Sequence, residues 1–295
     1  MNVRAFLNTV STQAYALPIV ILYVTEGCNL QCITCSYRQA SPNELDLDEI
    51  EELAHSLVHF GLRHIVFSGG EPLLRRDFPK ICLLFKHLGV KQSLLTNGLL
   101  LEKRFKELEG MFSEVIVSID GPDAEIHNAI RGIASFEQII RGVRFATQAK
   151  SQSVSIRTVI QKKNFRRIGE MVELAKDLRV QRISFLAADV LSESFGRDRS
   201  GQMVPNEAIM LDEKETSEFR QIIEKLISQH AGDIESRFIS ESENKLLHLA
   251  QYFEALIGKA AFPRNTCNAP MVSAVITSTG NVQPCYFLPE YGNIR

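Results

Sequence analysis

The sequence predicts an α/β fold on a parallel sheet, with a small α+β extension at the C-terminal end, and three observations lead there. Short β-branched runs alternate with helical patterns from Ile19 onward, unusual polar clusters fall just after strands, and the alternation stops after Ala188. The candidate strands are IVILYVT (19–25), HIVFSG (64–69), KQSLLT (91–96), EVIVSID (114–120), VSIRTVI (154–160) and RISFLA (182–187). Between the first two lies an amphipathic helix with Ile50, Leu53, Ala54, Leu57 and Val58 on one face. Asp46 and Glu49 form its capping pair and Gly61 is its stop. Further helices are expected over 77–88, 102–109, 135–150 and 164–178, joined by right-handed connections.

Six such units are too few to close an eight-stranded barrel. Their polar clusters nevertheless behave as barrel loops do: TEGC follows the first strand, SGGEP the second, TNG the third and SIDGP the fourth. In an α/β barrel such loops gather at one rim, where active sites sit, so four motifs scattered along the chain are expected to share one cleft.

Beyond Ala188 the stretch 189–206 is long and polar, which suits a lid or an insert; Phe195, Arg197 and Arg199 are its candidates for meeting a substrate. Two helices follow, over 212–230 and 240–257, the second with Ser240 and Glu243 as capping pair. The end reads as a hairpin with TGN as its turn and a cysteine near each end. The expected organisation is a lead-in (1–18), a barrel unit (19–232) and the extension (233–295).

Charge excludes some partners. Lys+Arg of 33 against Asp+Glu of 35 give no global attraction to nucleic acid or anionic lipid. The basic group Lys162, Lys163, Arg166 and Arg167 reads as a solvated helix start. The apolar run from Ala16 to Val24 is too short to span a bilayer. A lipoprotein-like signal ending at Cys28 is opposed by the adjacent Glu26 and the lack of a basic segment before the run. A cytoplasmic protein is expected, in which clustered thiols bind metal more often than they form disulfides.

Three of six cysteines, Cys28, Cys32 and Cys35, stand as C-x3-C-x2-C in one loop. A structural zinc site needs four closed ligands, whereas a [4Fe-4S] cluster held by three thiolates keeps one iron open to an outside ligand. Gly69 and Gly70 permit close backbone approach, and Glu71 can accept a bond from an amino group. Asn97 suits either a turn or a ribose hydroxyl, and His127 reads as structural. Cys82, at helical spacing with Phe78, Ile81 and Phe85, reads as core.

With CNLQCITC, GGEP, TNG and SIDGPDAEIHNAIRG in this order over most of residues 19–188, the sequence resembles the radical S-adenosylmethionine (radical SAM) superfamily. The resemblance implies a partial (β/α)6 TIM-like barrel and an open iron chelated by the amino and carboxylate groups of SAM. It further implies reductive cleavage of SAM to a 5′-deoxyadenosyl radical that abstracts a substrate hydrogen. By the same resemblance Gly69, Gly70, Glu71 and Asn97 fall in cofactor-binding motifs, and Ser118 and Arg131 are candidates for the SAM carboxylate. A surface ion pair is the competing reading of Arg131, and Asp120 reads as shaping the turn before Gly121. Thr34 stands where the family usually has an aromatic residue against adenine; Tyr37 is the expected substitute.

Cys267, Gly280 and Cys285, with Pro284, resemble the opening half of a SPASM or twitch extension, which binds auxiliary iron–sulfur clusters. Two thiols do not complete a four-ligand cluster, and no cysteine follows Cys285. A truncated chain, an incomplete site kept as structure, and a disulfide or shared zinc remain open. The expected activity is radical chemistry on a peptide or small biosynthetic intermediate, with an electron donor such as flavodoxin or ferredoxin. The rival is a non-catalytic iron–sulfur or zinc-binding protein.

Overall fold

The computed structural model describes residues 8, 14–192, 194–195, 206–264 and 267–295. Six parallel strands run in chain order: β1 (Ile19–Thr25), β2 (His64–Gly69), β3 (Lys91–Thr96), β4 (Glu114–Ser118), β5 (Ser153–Ile160) and β6 (Arg182–Ala187). Period-two alternation explains the layering. Val20, Leu22, Ile65, Phe67, Leu94, Val115, Val117, Ile156 and Ile183 point to the helical side and are buried in one core. Ile21, Tyr23, Ser68, Ser118, Arg157 and Ser184 fall on the other, concave face.

The helices are α1 (Leu47–His59), α2 (Phe78–His87), α3 (Leu101–Leu108), α4 (Ala124–Arg131), α5 (Phe136–Ala149), α6 (Ile168–Asp177), α7 (Glu213–Gln229), α8 (Ala231–Glu235), α9 (Glu243–Leu256) and α10 (Ala269–Val272). The capping box on α1 forms as expected: Asp46 accepts from Glu49 N at 2.9 Å and Glu49 accepts from Asp46 N at 3.0 Å. Cys82 is buried in the core, where Phe67 meets Phe78 and Phe85 edge-on. The basic group at 162–167 is a surface helix start paired with acids: Lys162 with Glu215, Arg166 with Glu218, Arg167 with Asp123.

The structure changes several expected boundaries. The stretch 164–178 begins as a 3-10 turn (Phe165–Arg167), because Arg167 N bonds to Asn164 O, and becomes α-helical only at Ile168. Helix α4 was not expected as an element; Asp123 caps it by accepting from Ile126 N, and Gly132 at φ +79 ends it. The pair Ser240 and Glu243 does not cap α9. Residues Phe238 to Ser240 are held along the edge of β6, with Ile183 N bonded to Phe238 O and Ser240 N to Ile183 O, so the helix starts later and Ser242 is its cap.

The C-terminal hairpin exists, with β7 (Ser273–Ile276) antiparallel to β8 (Asn281–Gln283), followed by β9 (Gly292–Asn293). However, β7 also pairs in parallel with β1. Among the described residues the result is one open nine-stranded sheet in the order β6-β5-β4-β3-β2-β1-β7-β8-β9, a partial barrel that the extension prolongs. Helix α8 spans the expected boundary at 232/233, and α9 packs on α7 through Phe219 and Phe253, ring centroids 5.6 Å apart. Among the described residues no helix is long and apolar enough to cross a membrane. Most of the lead-in, and the lid candidates Arg197 and Arg199, lie outside the described residues.

Candidate active site

The three-cysteine loop leaves β1 at Thr25 and is fixed from four directions. At its base one oxygen of Glu44 accepts from Thr25 Oγ1 (2.9 Å), Glu26 N (2.7 Å) and Ser41 N (3.1 Å), closing the loop on itself. From α4, the carbonyls of Arg131 and Ile130 accept from Gln31 N and Ile33 N, both at 3.0 Å. These are orphan carbonyls of a helix C-terminus, satisfied here by the loop. A Cβ on Gly132 would stand 2.2 Å from Gln31 O, so the two segments can touch only at glycine.

From β2, Gly70 N donates to Thr25 O and Glu71 N to Gly27 O, both at 2.7 Å. A Cβ on Gly70 would meet Gly27 O at 2.2 Å, and one on Gly69 would meet Thr25 O at 2.3 Å. The close approach expected at this glycine pair is therefore an approach of the chain to itself. From the stretch after β6, Phe195 O accepts from Ser36 N at 3.0 Å and lies 3.7 Å from Cys35 Sγ.

Cys28, Cys32 and Cys35 are free, partly exposed thiols. Two of the three sulfurs face nitrogen donors: Arg131 Nη1 lies 3.7 Å from Cys32 Sγ, and Asn97 Nδ2 lies 3.8 Å from Cys28 Sγ. Burial pushes the Cys35 thiol up to about 11 and raises that of Cys28. These thiols are thus protonated at neutral pH, and metal binding releases protons. Among the described residues no three His, Cys, Asp or Glu side chains converge on a single metal ion. The donor set fits an iron–sulfur cluster, which spreads its thiolates over separate irons and draws stabilisation from donors to sulfur.

The other expected residues divide into those near the loop and those turned away. The Arg131 side chain is largely buried, its Nη2 2.8 Å from Asp120 Oδ2, while its Nε has no partner among the described residues. The surface ion pair is thereby excluded; the pair is an internal one. Asp120 does more than shape a turn: Val159 N also donates to it at 2.8 Å, and burial raises its carboxyl despite Arg131. Glu71 is fully buried and accepts from Leu73 N (3.0 Å), Thr96 Oγ1 (2.7 Å) and Asn97 N (2.7 Å). In place of a ligand-facing acceptor, it ties the GGEP loop to the TNG loop.

The Asn97 amide faces Asn29 Oδ1 (2.8 Å) and Cys28 rather than open space, and its Oδ1 accepts from Leu99 N. Ser118 ends β4 on the concave face, in register with Arg157. His127 is buried against Phe136.

Aromatic rings close the mouth of the concave face. Tyr37 meets Tyr23 edge-on at 6.0 Å; Tyr23 stacks on Tyr286 at 5.9 Å and Tyr286 on Phe195 at 6.2 Å. Ser194 Oγ also donates to Tyr286 O. The stack joins the stretch after β6 to the segment after β8, across the open side of the sheet. Cys285 lies beside it, close enough to Tyr23 to act on its hydroxyl, whereas Cys267 is exposed; both thiols are free, so no disulfide joins them. Glu44, Asn29, Tyr23 and Tyr286 were not singled out from the sequence. Only Glu44, an acid just before the α1 cap, left a local signal, and that signal is shared by any surface acid.

The family model described as the Radical SAM superfamily matches residues 22–175. The chain is 34% identical over 177 residues to the Fe-coproporphyrin III synthase of Methanosarcina barkeri, covering 57% of this chain and 43% of that protein. It is 36% identical over 141 residues to a probable GTP 3′,8-cyclase of Archaeoglobus fulgidus, covering 46% and 47%. The chain thus spans about half the length of these curated relatives. Among solved structures, anSMEcpe with bound AdoMet and a peptide superposes with a TM-score of 0.67 at 21% identity, over 94% of this chain and 77% of that one; the likeness is one of fold.

Proposed function

This chain belongs to the radical SAM superfamily, whose enzymes use a [4Fe-4S] cluster and S-adenosylmethionine, and from that premise we propose that Cys28, Cys32 and Cys35 are the cluster's three protein ligands. The observation that carries the assignment is the pair of nitrogen donors, Arg131 and Asn97, set against two of the three sulfurs. When bound, the cluster and SAM supply, on one-electron reduction, methionine and a 5′-deoxyadenosyl radical able to take a hydrogen atom from an unreactive carbon.

The chain's own residues hold the parts in place. Arg131 has one nitrogen toward Cys32, one on Asp120 and an unpartnered buried Nε, which suits a carboxylate on the far side of its fork. Asp120 keeps that guanidinium aimed. Glu71 and Glu44 act at one remove, fixing the loops that carry Asn97 and the cysteines. The Tyr23, Tyr286 and Phe195 stack covers the site and limits water, which protects a reactive intermediate.

The substrate is proposed as a peptide or a small biosynthetic intermediate. Support comes from relatives named for porphyrin and nucleotide chemistry and from the peptide held by a protein of the same fold. A flavodoxin or ferredoxin is proposed as electron donor, and Cys285 with Cys267 as candidate ligands of an auxiliary cluster.

Anaerobic reconstitution with iron and sulfide, followed by iron analysis and a SAM cleavage assay, tests the reading. Reduced wild-type protein should form 5′-deoxyadenosine, and Cys28→Ala, Cys32→Ala and Cys35→Ala should each lose cluster iron and cleavage. Unchanged iron in these variants, with no 5′-deoxyadenosine from the wild type, would sink the assignment.

A further inference from the structure

A second cation stands on the concave face, apart from the cysteine loop. Arg157 lies in the middle of β5, and its register partners are Ser118 of β4 and Ser184 of β6. Residues paired across parallel strands point to the same side, so a guanidinium stands between two hydroxyls. Its Nε donates to Ser184 Oγ at 3.4 Å, the single bond that the side chain makes to the described residues. Both Nη groups are left without a hydrogen bond or ion pair there, and so is the Ser118 hydroxyl.

The surroundings explain why the vacant donors matter. Arg75 pairs with Asp77 and Arg131 with Asp120, whereas Arg157 has no carboxylate of its own among the described residues. Glu241 is near enough for the two charges to act on each other, but its carboxylate accepts from Phe185 N on the edge of β6. Tyr286, also within reach of the Arg157 charge, is neutral at ordinary pH. A half-buried fork with Nη donors free of the described residues, on the concave face of the sheet and beside the hydroxyl of Ser184, is built to receive a planar or tetrahedral oxyanion.

We propose that Arg157 anchors an oxyanion of the substrate, a carboxylate or a phosphate, and that the chain therefore acts on an anionic substrate. The proposal rests on the radical SAM reading and divides the two cations between two molecules. Arg131, against Cys32 and with its own free Nε, serves the SAM carboxylate; Arg157, with no bond to the cysteine loop, serves the second reactant.

The test uses reconstituted, unreduced protein saturated with SAM, so that the Arg131 side is filled, titrated calorimetrically with citrate and separately with inorganic phosphate. Wild-type protein is expected to bind at least one probe, and the tighter one identifies the class of anion. Arg157→Gln should weaken that binding about tenfold or more while retaining wild-type SAM affinity. Arg157→Lys, which keeps the charge but not the fork, should fall between them.

No probe bound by the wild type, equal binding by Arg157→Gln, or a parallel loss of SAM affinity in that variant overturns the proposal; the last would give Arg157 to SAM. Failure of the wild type to form 5′-deoxyadenosine when reduced is seen in a separate assay and brings down both readings. Normal SAM cleavage without Arg157-dependent anion binding brings down this one alone.

Discussion

Gly70 carries a constraint at the scale of single atoms. Its amide bonds to Thr25 O, and the space for a side chain is filled by the carbonyls of Glu26 and Gly27. Gly70→Ala must therefore push the cysteine loop off β2. We expect a loss of about 1–3 kcal/mol in urea unfolding, with lowered iron uptake on reconstitution. His127 gives a pH dependence. Burial holds its ring neutral, with a pKa of about 3 in the folded chain, while the unfolded chain protonates below about 6.5. A base whose pKa is depressed on folding costs stability as pH falls from the unfolded value toward the folded one. Urea midpoints should therefore drop between pH 7 and pH 4.5, and His127→Asn, whatever its own stability, should show a shallower drop.

At the scale of elements, short-range rules account for the helix starts. The Asp46 and Glu49 box is reciprocal and exposed, so Asp46→Ala should cost about 1 kcal/mol by chemical denaturation and leave the sheet unchanged. The same rule failed for Ser240 and Glu243, because residues 238–240 are pulled along the edge of β6 before α9 can begin. Helix α4 carries the same local signals, Asp123 as its cap and Gly132 as its stop, but it sits inside a run whose residues also spell a site motif, which hides the helix in the sequence. Its C-terminus holds the cysteine loop, so this helix is one of the loop's supports.

At the scale of the molecule, aromatic stacking bridges the open side of the sheet. Tyr286, from the segment after β8, bridges Tyr23 on β1 and Phe195 beyond β6. Replacing it with leucine removes two stacked pairs, each about 0.5–1.5 kcal/mol beyond its buried area. Tyr286→Leu should lower the urea midpoint and speed limited proteolysis within residues 26–40, since Phe195 O also holds Ser36. An unchanged digestion pattern would show that the loop is held from α4 and β2 alone. The extension thus belongs to the architecture of the site, as β7 pairing with β1 requires.

The sequence by itself determined the six strands, most helices, the order of the rim motifs and the three clustered thiols. Each of these depends on spacing within a few residues, where the period of a strand, a cap or a C-x3-C-x2-C loop is written locally. Only the tertiary structure decided that Glu71 turns inward and that Arg131 lies between Asp120 and Cys32. It alone placed Arg157 between Ser118 and Ser184 with no ion pair among the described residues, and set Tyr286 across the open side. Most of those outcomes join residues dozens to hundreds of positions apart, and which partner a buried charge or ring finds is fixed by how the sheet curls, not by its neighbours in the chain.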